Sequence, residues 1–514
     1  MKLNFVENTK RNIIAGTIHQ GIQMLFPFLN KTLFLRLLGP DYLGLNGLFS
    51  SILGVLALAE LGFGTAIICS MFKPIADDDR DLICAYLHFY RTIYRWIGSI
   101  IFFAGLCLLP FLRRIVHGEI PPDIDLHILY VLYLLNTSAS YFLFSYRRSV
   151  LTAHQRNDIL TNISSVLQVM QFLFVFIVLF FTRNFYLYVI VLLVFTVVQN
   201  LLVMHESRRL FPDILPRGEL PPDKRHQVIS DVKSIFLHKI GYAISYQSDN
   251  VILSAFMGLV AVASFGNYNY VCIAVTGLPA IVFCALSGGF GNKIHTENRE
   301  NTFRLFILVC RMIGIINIWC AAMMLALYQP FITIWSGKNP ELIQHFLTPV
   351  LMVLLFYVKQ SRQTLLQFKS EASLWKEDRW KPLIGGAVKL LACLLFIYFL
   401  PDRCKLDGVI LSTIIGYVFV QIPWESHVVF TSFFNRTQAK AYWRHQASFL
   451  LTALLICTGT WGVAAAIPME HIPGLLVKAA AASLFSGILL AVLFRREMQT
   501  ITGKLLKRGK SFHA

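Results

Sequence analysis

The chain is a succession of apolar stretches about twenty residues long, separated by short connections. That pattern constrains the fold more than any single motif, because roughly twenty apolar residues in helical form span the hydrocarbon core of a bilayer. Helix also satisfies every backbone polar group internally, which lipid demands. Fourteen such helices are predicted, over 12–37, 45–70, 84–110, 127–146, 159–181, 185–204, 234–256, 261–287, 303–328, 343–366, 383–400, 408–430, 448–467 and 475–494. Only 14% of residues are charged and 56% are hydrophobic, where soluble proteins carry roughly 25% charged residues. A water-soluble enzyme is excluded. The expected fold class is an all-α polytopic membrane protein.

A net charge of +18 raises the question of nucleic acid, but the basic residues fall in short clusters between apolar runs. That is the positive-inside pattern of cytoplasmic loops. With the N-terminus inside, thirty-two of the 46 Lys and Arg lie on inner stretches, six on outer loops and eight within helices. The inner set includes Arg147 and the run from Lys359 to Lys381. Both termini are therefore expected in the cytoplasm of a bacterial cell, with the chain in the inner membrane. The first apolar stretch lacks a cleavage site and is read as a retained helix. The ten cysteines are scattered, with no C-x-x-C pair and no His cluster of metal type, so no metal site or cofactor is expected.

The Pro-rich connection His205–Val232 divides the helices into two sets of six. The expected organisation is an N-terminal lobe 1–205, a linker 206–232, a C-terminal lobe 233–432, and two further helices with a basic tail over 433–514. An internal repeat supports it. Gly39-Pro-Asp-Tyr-Leu-Gly-Leu-Asn-Gly47 and Gly258-Leu-Val-Ala-Val-Ala-Ser-Phe-Gly266 share one Gly-to-Gly spacing, and Arg95 and Arg311 fall at nearly the same shift. Six helices per half predict a pseudo-two-fold along the membrane normal.

The segment Leu35–Ile67, LRLLGPDYLGLNGLFSSILGVLALAELGFGTAI, resembles the first hairpin of the Wzx-type polysaccharide flippases, the O-antigen and capsule transporters. Ser248–Val271, SDNVILSAFMGLVAVASFGNYNYV, resembles the matching hairpin of their second half. They belong to the multidrug/oligosaccharidyl-lipid/polysaccharide exporter superfamily. The resemblance implies two six-helix lobes around a central cavity that opens alternately to each side. It also implies a cargo of undecaprenyl-pyrophosphate-linked oligosaccharide, taken from the inner to the outer leaflet. The partners are then that lipid-linked oligosaccharide, membrane lipid and a coupling ion (proton or sodium), with no nucleic acid.

A pyrophosphate needs cations, and several lie inside predicted helices: Lys31, Arg36, Arg91, Arg95, Lys239, Arg311 and Lys389. A charge at the centre of a bilayer costs about 2.5–3.5 kcal/mol, so these either line a polar interior or snorkel to the interface. Arg36 suits the outer end of the first helix. The repeat equivalence of Arg95 and Arg311 favours a shared cavity role, in which a guanidinium binds phosphate oxygens bidentately. Among the carboxylates, Glu60 and Asp249 lie deepest and Glu425 follows Pro423-Trp424. Each is open to two readings: an ion pair, with Lys31 the candidate partner of Glu60 or Asp249, or an ion-coupling site. Tyr246, Tyr268 and Tyr270 are candidates for sugar contact. Ser287–Lys293 has the look of a phosphate loop without its spacing, and is read as the end of the eighth helix. Two other functions compete. A drug/cation antiporter of the superfamily would want an acidic cavity, whereas the candidates here are mostly cations. A polysaccharide polymerase would want a long outer loop, and these loops are short.

Overall fold

A computed structural model describes residues 5–60, 63–116, 120–296, 298–337, 339–372, 374, 380–468 and 471–495. Within these, no strand occurs. The contacts divide the chain into two compact units, Met1–Gly266 with Pro382–Leu390, and Asn267–Lys381 with Leu391–Ala514.

The first unit holds α1 (Phe5–Leu37), α2 (Pro40–Leu56), α3 (Phe63–Ala76), α4 (Arg80–Leu108), the short α5 (Leu112–Ile115), α6 (Leu126–Phe142), the short α7 (Arg148–Ala153), α8 (Asn157–Thr182), α9 (Phe185–Leu210) and α10 (Pro222–Met257). It also holds the start of α11 (Leu259–Thr296). The second unit continues α11 and adds α12 (Arg299–Trp335), α13 (Leu347–Glu371), most of α14 (Lys381–Phe399), α15 (Lys405–Ile415), α16 (Ile422–Ser432), α17 (Arg436–Ala465) and α18 (Ile472–Leu493). Side-chain caps open many of these helices. Asp79 accepts from Leu82 N at 3.0 Å, Asn184 from Leu187 N at 3.1 Å, and Asn435 forms a capping box with Gln438.

Each predicted apolar stretch coincides with helix, but the spans are unequal. Among the described residues, ten helical segments are long and apolar enough to cross a membrane, or eleven counting the bent pair of α6 and α7. The three stretches outside that set are α1, α2 with α3, and α10. They carry Lys31, Glu60, Lys239 and Asp249 between them, and α2 and α3, at 17 and 14 residues, are each short of a full span. The second stretch is also broken, by a 3-10 turn at Ala57–Glu60.

Two other expectations change. The helix 261–287 does not end at its glycines, because α11 runs through them to Thr296. The predicted linker is mostly helix, since Pro221 and Pro222 open α10 and only residues 211–221 lie between α9 and α10. That short stretch is docked on α4. Asp213 receives Arg80 at 2.8 Å, and His88 Nδ1 donates to Gly218 O at 2.9 Å.

The repeat glycines have a structural counterpart. Gly39 and Gly258 both adopt positive φ, 113° and 88°, with nearly equal extended ψ. Each turns the chain into the next helix in a region L side chains avoid. Their hairpins pack together within the first unit. A Cβ at Gly44 would lie 2.2 Å from Leu259 O, and one at Gly47 would lie 3.2 Å from Val262 Cγ1. Small residues allow such close helix approach in lipid. The second unit uses the same device where Ala326, Ala464 and Ala482 bring α12, α17 and α18 together. Gly44→Ala is expected to destabilise the protein by about 1–3 kcal/mol through overpacking, and Gly47→Ala by less. Thermal unfolding in detergent checks the order, and equal stability of both variants with the parent would refute the close contact.

Candidate functional site

Charges inside the protein are largely engaged. In the first unit, Lys389 Nζ lies 2.8 Å and 2.9 Å from the two carboxylate oxygens of Asp249, with both residues buried. Asp249 therefore has Lys389 as its ion-pair partner. Lys31 Nζ donates to Gly266 O at 2.7 Å.

Glu60 sits on the 3-10 turn between α2 and α3 and is partly buried. One of its oxygens accepts the hydroxyl of Tyr94 and the other accepts Tyr141 Oη at 2.8 Å. The rings of Tyr90 and Tyr94 are 4.4 Å apart, one helical turn from each other on α4, so three tyrosines surround the carboxylate. Among the described residues, Glu60 has no cationic partner. A carboxylate held by neutral donors can exchange a proton or take a small cation without breaking an ion pair.

The second unit buries a three-charge cluster. Arg362 grips Glu425 bidentately, Nε to Oε2 at 2.7 Å and a terminal nitrogen to Oε1 at 2.8 Å, and Lys381 Nζ also bonds Oε1. Arg362 stacks over Tyr417, 5.2 Å from the ring centroid. A turn of π-helix at Gly416–Gln421, followed by Pro423, sets the direction of α16 and hence of Glu425. At the start of α12, Arg304, Arg311 and Arg444 line a cavity of about 840 Å³ together with Glu300, His445 and phenylalanines 303, 449 and 494. Glu300 answers Arg304 at 3.5 Å.

The predicted site residues thus separate. Lys389, Asp249 and Glu425 are buried ion-pair members, Lys31 binds a carbonyl, Glu60 is caged by tyrosines, and Arg311 lines the arginine cavity. Arg95 is exposed and Arg91 half-buried on α4; Arg36 is exposed in the last turn of α1. The side chains of Lys239, Tyr246 and residues 287–293 lie outside the described residues, as does the basic tail beyond Arg495. Tyr268 is buried, its hydroxyl donating to Gln329 Oε1 at 3.2 Å and accepting from Gln344 N at 3.1 Å.

Several cations counted with the inner stretches are enclosed by the protein rather than exposed on a loop. Arg147, Lys369 and Lys381, assigned to inner connections, are buried, and Arg362 is nearly so. Arg147 donates to Ile214 O at 2.8 Å and so ties the connection to the helices. These residues lie at the ends of apolar runs, where sequence alone cannot tell an interface from an interior. One signal was available: Arg362 falls inside the predicted helix 343–366, and Glu425 needed a cation.

The described structure is therefore a helical multi-pass membrane protein with buried ion pairs inside it and apolar residues such as Trp96, Phe181 and Leu391 exposed. It superimposes on a lipid II flippase, MurJ, in an inward closed conformation, with a TM-score of 0.66, 11% identity, and coverage of 96% of this chain and 100% of the other. A multidrug resistance MATE family transporter of the MOP superfamily, inward-facing, matches with a TM-score of 0.57, 15% identity, and coverage of 84% and 99%. A MOP superfamily transporter from Pyrococcus furiosus, described as having a binding pocket of reverse polarity, matches at 0.52, 14% identity, and coverage of 82% and 95%. The fold is that of the MOP-superfamily transporters. The family described as polysaccharide biosynthesis protein matches residues 9–287, more than half of the chain, and the chain belongs to it. No curated protein matches the sequence.

Removing one member of a buried ion pair leaves the other charged and unsolvated, which typically costs about 3–5 kcal/mol. Asp249→Asn and Glu425→Gln are both expected to lower the unfolding temperature strongly. Asp249→Asn combined with Lys389→Met should recover much of the loss. A double variant no more stable than Asp249→Asn alone would show that the Asp249–Lys389 contact is not the source of the effect.

Proposed function

We propose that this protein moves a polyprenyl-pyrophosphate-linked oligosaccharide from the inner to the outer leaflet of the bacterial cytoplasmic membrane by alternating access. The proposal includes cytoplasmic termini and two halves on either side of residues 206–232. Membership of a polysaccharide biosynthesis family and the fold shared with a lipid II flippase support it. The single observation that carries it is the arginine cavity, where Arg304, Arg311 and Arg444 face one carboxylate, Glu300, between aromatic walls. Guanidinium forks suit pyrophosphate oxygens. Phenylalanine walls suit a polyprenyl chain. A drug/cation antiporter needs free acids, and Asp249 and Glu425 are occupied by cations.

In this reading Arg311 is the principal cargo cation. Arg91, Arg95, Lys31 and Lys239 supply further positive potential along the path, and Lys389 holds Asp249 in place. Glu60 is the ion-coupling group. An anionic cargo moving outward gains about 2.3 kcal/mol per charge per 100 mV from a negative interior. Protein cations that move with it cancel the gain, so a neutralised cargo requires a coupled proton or sodium ion.

The direct test is a deletion strain, which should accumulate lipid-linked glycan on the inner leaflet; unaltered glycan distribution would overturn the assignment. Arg311→Ala is expected to abolish export at normal protein levels, and Arg311→Lys to restore it in part. Full activity of the alanine variant would remove Arg311 from the cargo site. In vesicles with imposed gradients, Glu60→Gln should flatten the dependence of flipping on the proton or sodium gradient while leaving cargo binding nearly unchanged. If flipping by the unmodified protein follows voltage alone, Glu60 has no coupling role.

A further inference from the structure

Where α12 ends and α13 and α15 begin, three residues of different chemistry converge. His345 lies just before α13, Cys404 immediately before α15, and Asp407 in the first turn of α15. One ligand atom from each lies within 4.8 Å of the other two. Cys404 and Asp407 are three residues apart at a helix start, which puts them on one face. His345 comes from a separate segment, so no sequence pattern announces the group.

The carboxylate is the informative member. Asp407 is only 4% exposed. Its Oδ1 accepts the hydroxyl of Thr348 at 2.7 Å. Its Oδ2 is buried and pairs with His345 Nε2 at 2.6 Å. An ion entering between the two would replace that contact and part the atoms slightly, to the spacing of two ligands on one metal. Thr348 fixes the far oxygen, as partners of metal-bound carboxylates commonly do. Cys404 is a free, partly exposed thiol immediately before α15.

We propose that His345, Cys404 and Asp407 form a binding site for a divalent metal ion of the zinc class. Sulfur, nitrogen and oxygen together select a borderline ion such as Zn²⁺, whereas Mg²⁺ and Ca²⁺ take oxygen donors. Three protein donors leave one tetrahedral position for water or an external ligand. The bound ion joins the segment before α13 to the start of α15. That segment also carries Gln344, whose backbone N–H donates to Tyr268 Oη. The ion would therefore stiffen the surroundings of a tyrosine already named as a candidate for sugar contact. The site stands apart from the proposed transport function and does not depend on it.

The test uses the full-length protein in detergent, freed of any affinity tag and stripped with chelator, then titrated with Zn²⁺ and separately with Co²⁺. One Zn²⁺ should bind per chain. Cys404→Ser and His345→Ala should each weaken binding at least about tenfold, and Thr348→Val about 10–100-fold, the range for loss of a supporting partner. Co²⁺ should give a thiolate-to-metal charge-transfer band that Cys404→Ser removes. In the unmodified protein, Zn²⁺ should protect Cys404 from maleimide, read by mass spectrometry of the peptide that contains it, so the proposal stays testable if a variant fails to fold. Equal Zn²⁺ binding by the parent, Cys404→Ser and His345→Ala would overturn it. So would the absence of both the band and the protection, which would leave an ordinary His–Asp ion pair.

Discussion

A carboxylate out of reach of water must be matched by charge or by hydrogen bonds, and much of this structure follows from how three of them are matched. Glu425 is fully buried and receives two cations, one through a bidentate fork. The interior raises the worth of each contact and the cost of each omission together. Satisfying Glu425 accordingly involves α13, the start of α14, the π turn and α16. Asp249 does the same with Lys389, joining α10 to α14 within the first unit. Glu60 alone is matched by neutral donors, and it lies where the helix is interrupted.

That contrast gives the three acids different capacities. An acid locked by a cation resists movement, because moving it exposes the partner. An acid held by tyrosine hydroxyls has acceptor capacity left for a small ion, and its donors can rotate. In the proposed function, rigidity and responsiveness therefore fall to different residues rather than to one cluster.

The fold was largely legible in the sequence because lipid leaves so few options. Apolar stretches of membrane length are helical, and the predicted stretches are helical, though the second is divided between α2 and α3. What the apolar count overstated was uniformity. The stretches of α1, α2–α3 and α10, which fall outside the full-length apolar spans, hold Lys31, Glu60 and Asp249. The repeat glycines were legible as well, since Gly39 and Gly258 share a backbone conformation that only glycine adopts readily. The site was legible only by residue type. The sequence marked Asp249 and Lys389, but their pairing depends on packing between helices far apart in the chain. Arg362, Lys381 and the tyrosines around Glu60 escaped because a cation near the end of an apolar run, or a tyrosine among many aromatics, carries no local mark. The His345–Cys404–Asp407 group escaped for the same reason.

The π turn at Gly416–Gln421 has one more consequence. A π turn accommodates one residue more than the α-helical path needs, and each residue of an α-helix advances the angular phase by about 100°. The face that α16 presents is therefore a matter of counting upstream residues, not of the chemistry of α16 itself. Relaxing the turn to α-helix would rotate Glu425 by nearly a third of a revolution, out of the grip of Arg362, without altering a single side chain in the cluster. The insertion acts as a phase setting for the charge, and homologous chains can be compared by length through this segment before any residue is compared by type.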